Sequence, residues 1–187
     1  MLNIARIFAR TSVVEDRFSQ LFRPHIQDLY RTAYRWTQSP QSAEDLVQDL
    51  ALRVIERVDE MAAVERLRPW LLKIMYRRFI DIHRRAVSNP VICEHCAPEG
   101  IPALEEQICD ADCPEKEFEL DRLRQALERE INSLEPAQKA AVMLYDGEGY
   151  TIKEIAEIMN TTEGTVKSRL HRARSRLKKL LSLETFC

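Results

Sequence analysis

Glycine is nearly absent from this chain, at 4 residues in 187, and with it go the glycine-rich loops that cradle phosphates in nucleotide-binding enzymes. Alternating β-branched residues at two-residue spacing are also scarce, so an extended sheet has no pattern to rest on. Leu, Ala, Glu and Arg are abundant instead, which favours helices and predicts an all-α fold. No apolar run approaches the roughly 20 residues that span a bilayer. The amino terminus lacks the apolar core of a secretory signal, and a cytoplasmic chain without membrane insertion is expected. Histidine is confined to His25, His83, His95 and His171, and no base and nucleophile accompany them. No catalytic residue is expected, and the protein is not expected to be an enzyme.

What is present is charge, arranged in blocks. The formal net charge of -2 conceals a cationic segment from Arg66 to Arg85 that also contains Arg68, Lys73, Arg77, Arg78 and Arg84, opposed only by Asp81. An anionic segment from Val91 to Asp121 follows, with Lys116 as its single cation. A second cationic stretch, Lys167 to Lys179, contains no acid at all. Such asymmetry says more about partners than the total does.

Hydrophobic spacing divides the chain further. Leu21, Phe22, Ile26, Leu29, Ala33 and Tyr34 recur at helical intervals, and Ser39-Pro40 breaks that first helix. Ser42 is placed to cap the next helix, where Val47, Leu50, Ala51, Val54 and Val58 form one stripe and Glu44, Asp45, Gln48 and Asp49 a polar face. Pro69 suits the start of a third helix whose buried side is Trp70, Leu71, Ile74, Phe79 and Ile82 and whose other side is basic. Prolines at 90, 98, 102 and 114, with no sustained period between them, read as a linker. Helical pattern resumes at Phe118, Pro136 opens a further helix, and Gly147-Glu148-Gly149 ends it. The expected organisation is an amino-terminal extension over 1–17, a helical domain over 18–86, an acidic linker over 87–116 and a second helical domain over 117–183.

Within the second domain, Thr151-Ile152-Lys153-Glu154 has the form of a capping box. Ile155, Ala156 and Met159 face inward, Asn160-Thr161 makes a short turn, and Val166, Leu170, Ala173 and Leu177 stripe the next helix. That is helix-turn-helix spacing. The outer side of the second helix carries Lys167, Arg169, Arg172 and Arg174, with Thr165, Ser168 and His171, a set suited to a major groove and its phosphates.

Ser133-Leu134-Glu135-Pro136 through Thr151, Ile155 to Met159, and Gly164 to Arg174 closely resemble domain four of the sigma-70 family, in its extracytoplasmic-function group. Glu44 to Asp49 resembles the core-polymerase-binding helix of domain two in that family, and Trp70-Leu71, Ile74 and Asp81 to Arg85 resemble its -10-binding helix. The resemblance implies a sigma factor that binds core RNA polymerase and directs promoter-specific initiation. Glu44, Asp45, Gln48 and Asp49 would meet the β′ clamp helices, and domain four the β flap. The loop Met61 to Arg68 would capture a flipped base, with Arg66, Arg68, Trp70, Arg77, Arg78, Asp81, Arg84 and Arg85 at the -10 element. Relatives commonly carry asparagine where Arg77 stands. At the -35 element, Lys167, Ser168, His171 and Arg172 would reach base edges near Thr165, while Arg169 and Arg174 would serve phosphates or acidic partners. Family habit implies an anti-sigma factor, and a monomer is expected for the free protein.

Three features stand outside the family pattern or invite rival readings. Cys93, Cys96, Cys109 and Cys113 lie in the linker, where two short pairs suit a tetrahedral zinc ion with His95 as substitute ligand, a redox-switched disulfide pair, or inert thiols; no other cofactor is expected. The acidic linker itself suits either an RNA mimic in the polymerase channels or a disordered tether. The helix-turn-helix alone would also suit an autonomous, dimeric regulator, a reading that the docking-helix match in the first domain opposes.

Overall fold

In the computed structural model, residues 13–88 and 125–184 are described, and every regular element among them is a helix. The first domain comprises α1 (Val13–Phe22), a 3-10 turn (Arg23–His25), α2 (Ile26–Thr37), α3 (Pro40–Ile55), α4 (Val58–Ala63) and α5 (Leu67–Ser88). The second comprises α6 (residues 125–132), α7 (Pro136–Val142) running into a π turn (Met143–Gly147), α8 (Ile152–Met159) and α9 (Glu163–Glu184).

The sequence suggests one helix up to Ser39, but the chain makes two. Pro24, lacking an N–H, starts the 3-10 turn and ends the α1 ladder, so Phe18 and Phe22 stack on one side, 5.0 Å apart, and Ile26 and Leu29 re-enter the core from another. The helix α1 also begins at Val13, ahead of the boundary expected at residue 18. Ser39, not Ser42, caps α3: it is extended at φ -135°, Pro40 takes the first helical position, and the Ser39 hydroxyl accepts from the Ser42 amide at 3.3 Å. Ser42 is the residue served by the cap. Met61 is fully buried at α4, which shortens the expected base-capturing loop to the residues after Ala63.

The capping box at α8 forms as the sequence predicts. Thr151 accepts from the Glu154 amide at 3.3 Å and Glu154 accepts from the Thr151 amide at 2.9 Å. Asn160 closes α8 in the left-handed region at φ 50°, a conformation asparagine tolerates better than most residues. Thr151→Ala is expected to lower stability by about 1 kcal/mol, read as an earlier urea midpoint for the full chain.

The two domains do not stand apart. Helix α5 packs along α8, α2 touches α7 and the π turn, and the buried side chains of both domains join in one core. Trp36, Leu46, Leu50, Leu71, Met75 and Phe79 fill the first half, and Ala140, Leu144, Ile155, Val166 and Ala173 the second.

Candidate nucleic-acid interface

Helix α9 builds an exposed cationic surface. Its inner stripe of Val166, Leu170 and Ala173 is buried, which fixes its rotation and leaves Lys167, His171 and Arg172 exposed on the outer side. Thr162 organises its start, accepting from the Thr165 amide at 3.2 Å and lying 2.9 Å from the Thr165 hydroxyl. The Ser168 hydroxyl donates back to the Thr165 carbonyl at 2.9 Å, so Thr165 and Ser168 are already partnered within the helix.

Two other arginines of this helix turn elsewhere. Arg174 forms a two-pronged pair with Asp146 of the π turn and lies over the Tyr145 ring, 5.0 Å from its centroid. The pair raises the Arg174 guanidinium pKa, chiefly through the Asp146 hydrogen bond. Arg169 is half-buried against Tyr76 of α5, its Nη1 buried with no hydrogen-bond partner among the described residues. Burial pushes the Tyr76 phenol up, with the Arg169 charge opposing that push.

On the first domain, Asp45 and Gln48 are exposed on α3, and Glu44 and Asp49 half-buried. Asp49 accepts from Nε of Arg78, so a residue expected at the polymerase and one expected at the -10 element neutralise each other. Leu52, 68% exposed, sits one helical turn from Gln48 and two from Asp45, on their side of the helix. Sequence reading passed it over because an exposed leucine is invisible to periodicity alone. Along α5, Arg77, Asp81, Arg84 and Arg85 are exposed. Trp70 is half-buried with the Arg57 guanidinium 5.0 Å over its ring.

Arg66 and Arg68 are held by the other domain. Arg68 pairs with Glu148 and lies 5.8 Å from the Tyr150 ring centroid, and Arg66 pairs with Glu154. Glu148 is only 6% exposed: its carboxylate also accepts from the Thr32 hydroxyl at 2.7 Å and from Arg35 at 3.2 Å. The hydrogen bonds from Thr151, then the one from Arg66, hold the Glu154 carboxyl below its ordinary pKa. A cleft of about 460 Å³ lined by His25, Arg66, Arg68, Glu148, Tyr150 and Glu154 marks this junction. Cys93, Cys96, Cys109, Cys113 and His95 lie outside the described residues, as do all of the linker acids.

The fold places a first helical domain, with an acidic and amide-bearing face on α3, ahead of a helix-turn-helix whose second helix is basic. Sigma-70 region 2 matches residues 21–88 and Sigma-70 region 4 matches residues 124–177. The chain is 34% identical over 165 residues to the ECF RNA polymerase sigma factor SigM of Mycobacterium tuberculosis, covering 88% of this chain and 76% of that one. It is 32% identical over 166 residues to SigE of Mycolicibacterium smegmatis, spanning 88% of this chain and 62% of the relative's length. Its fold matches that of Bartonella quintana sigma factor RpoE, crystallised with the anti-sigma factor NepR, at a TM-score of 0.66 and 25% identity over 88% of this chain and 96% of that one. The fold of CnrH, solved with the cytosolic domain of CnrY, matches at a TM-score of 0.57 and 20% identity, covering 96% and 94% of the two chains. The chain belongs to the extracytoplasmic-function group of sigma-70 RNA polymerase sigma factors. Among the described residues, no helix is long and apolar enough to cross a membrane.

Proposed function

We propose that this chain binds core RNA polymerase in the cytoplasm and directs it to promoters as a non-catalytic subunit, under the control of an anti-sigma factor. The observation that carries this reading is the exposed trio Lys167, His171 and Arg172 on the second helix of a helix-turn-helix, the position that enters a major groove. These residues face the -35 element, with Arg172 forking onto a guanine edge. Asp45 and Gln48, with Glu44 beside them, dock α3 onto the basic clamp helices of the β′ subunit, and domain four rests on the β flap. The -10 strand lies along α5 and the loop before it, where Arg77, Arg84 and Arg85 offset the cost of unstacking a base.

An anti-sigma partner is supported by the fold shared with Bartonella quintana RpoE, which was crystallised with one. Zinc binding by the four linker cysteines remains a separate proposal, tested by metal content of the purified chain before and after Cys93→Ser and Cys96→Ser.

The deciding experiment is run-off transcription with cognate core polymerase on fragmented genomic DNA, with and without this protein. Discrete new transcripts from defined starts support a sigma factor. No new transcripts, with tight binding of duplex DNA by the protein alone, would make it an autonomous regulator. Arg172→Ala is expected to weaken use of the mapped promoters by about 1–3 kcal/mol, read as transcript yield against promoter concentration, and unchanged preference among -35 variants would remove Arg172 from base readout.

A further inference from the structure

Lys167, His171, Arg174 and Lys178 follow one another at helical spacing, so they share one line along α9, and all four are exposed. They flank a groove of about 450 Å³ whose floor includes Tyr145 and Ile152. Arg174 is held there. Asp146 of the π turn accepts from its Nε at 3.3 Å and its Nη2 at 2.5 Å, the edge with which an arginine grips a phosphate at two points. The guanidinium also lies 5.0 Å over the ring of the preceding residue, Tyr145. A π turn is rare in helices and recurs at functional positions; here it brings a ring and a carboxylate from consecutive residues onto one cation. Both members of the ion pair are about half exposed, so it contributes little to stability. Its larger consequence falls on the charge that α9 shows to DNA, since a paired arginine adds little to the field that draws a polyanion.

We propose that Asp146 is a specificity-determining residue of the -35 interface: by holding Arg174 it withholds one phosphate contact from non-promoter DNA and leaves the base-reading residues of α9 exposed. This rests on the reading of Lys167, His171 and Arg172 as the -35 set. Phosphate contacts draw a protein to any sequence, and base contacts separate one sequence from another. On random DNA no base contact fixes the register of the helix, and a free guanidinium settles on whichever phosphate is in reach. At a promoter the base contacts fix that register, and Arg174 gains less from release. The carboxylate therefore lowers binding to random sequence more than binding to the promoter.

The test uses holoenzyme reconstituted from cognate core polymerase and the full chain, as wild type, Asp146→Asn, Arg174→Ala and the double variant. Asparagine keeps the shape of aspartate without its charge; should circular dichroism show lost helix content, Asp146→Ser takes its place. Fluorescence anisotropy reads affinity for a labelled promoter fragment mapped by run-off transcription, and for the same fragment with its -35 element scrambled, across a series of salt concentrations. Asp146→Asn is expected to bind the scrambled fragment roughly two- to fivefold more tightly, with a salt slope steeper by about one, and to lower the ratio of promoter to scrambled affinity. In the Arg174→Ala background the same substitution should change scrambled-fragment affinity less. Unchanged affinity for the scrambled fragment, or an equal gain on both fragments, overturns the proposal. So does an equal effect of Asp146→Asn in both backgrounds, because Asp146 would then act as a plain surface charge and not through Arg174. Failure of the sigma-factor reading shows separately, as absence of run-off transcripts with wild-type protein.

Discussion

Trp36→Ala is expected to cost the first domain about 3–5 kcal/mol, a large fraction of the 5–15 kcal/mol that ordinarily separates folded from unfolded chains. Trp36 is 1% exposed and is the pin between α2 and α5. Its ring meets Tyr76 edge-on at 6.0 Å and Phe79 at 5.3 Å, so truncation removes both aromatic contacts and leaves a cavity under α5. The indole N–H is buried without an acceptor among the described residues, so part of the wild-type ring's burial is already opposed by a desolvated donor. Trp36→Phe deletes that donor while keeping most of the ring, and its loss should stay under roughly 1.5 kcal/mol. Urea unfolding followed by far-ultraviolet circular dichroism separates the two. A midpoint for Trp36→Ala as late as that of Trp36→Phe would mean that α2 and α5 are held by other contacts. Transcription should follow stability here, falling with the alanine variant and largely surviving the phenylalanine one.

The helices, their inner faces and the capping box at Thr151 were legible in the sequence because each rests on local spacing: three- and four-residue apolar intervals, or a hydroxyl and a carboxylate three positions apart. The breaks were less legible. Pro24 divides a run whose apolar spacing continues across it, and Ser39 outcompetes Ser42 as cap because Pro40 fits the first helical position directly after it. The site was legible only by residue type. Composition marks Arg66, Arg68, Arg169 and Arg174 as cations available to nucleic acid, yet each is engaged within the chain, by Glu154, Glu148, Tyr76 and Asp146 respectively. Those pairings join residues from about 28 to about 93 positions apart, and no local pattern encodes them. Glu148 shows the same limit: in sequence it is a helix-ending residue between two glycines, and in the fold it is the carboxylate on which two arginines converge.

Lys139 was likewise unmarked by sequence, being one of two polar positions, with Gln138, in an otherwise apolar α7, and it carries the second large effect. It is 6% exposed, and burial lowers its pKa from 10.5 to about 8. Its ammonium donates to the Asn132 side-chain carbonyl at 2.8 Å, a neutral partner that compensates only part of the lost hydration. The folded chain therefore gives up this proton before the unfolded chain does. Below about pH 8 both states hold it, and the cost of burying the charge is present in full. Between about pH 8 and 10.5 the unfolded state binds more protons, so this group's contribution raises stability with pH, by about 3 kcal/mol across that window, an order-of-magnitude figure. Above it the contribution is constant. Lys139→Met keeps an unbranched side chain one atom shorter and removes the charge, so it should stabilise the protein at pH 7 by about 1–3 kcal/mol and abolish that rise. Urea midpoints for both proteins at pH 7, 8, 9 and 10 decide the matter, because the tyrosines and other groups that titrate in this range are common to the pair and cancel in the difference. Parallel curves would mean that the Lys139 ammonium reaches water in the folded state. Curves that converge as pH rises would place an uncompensated charge in the core of the helix-turn-helix domain.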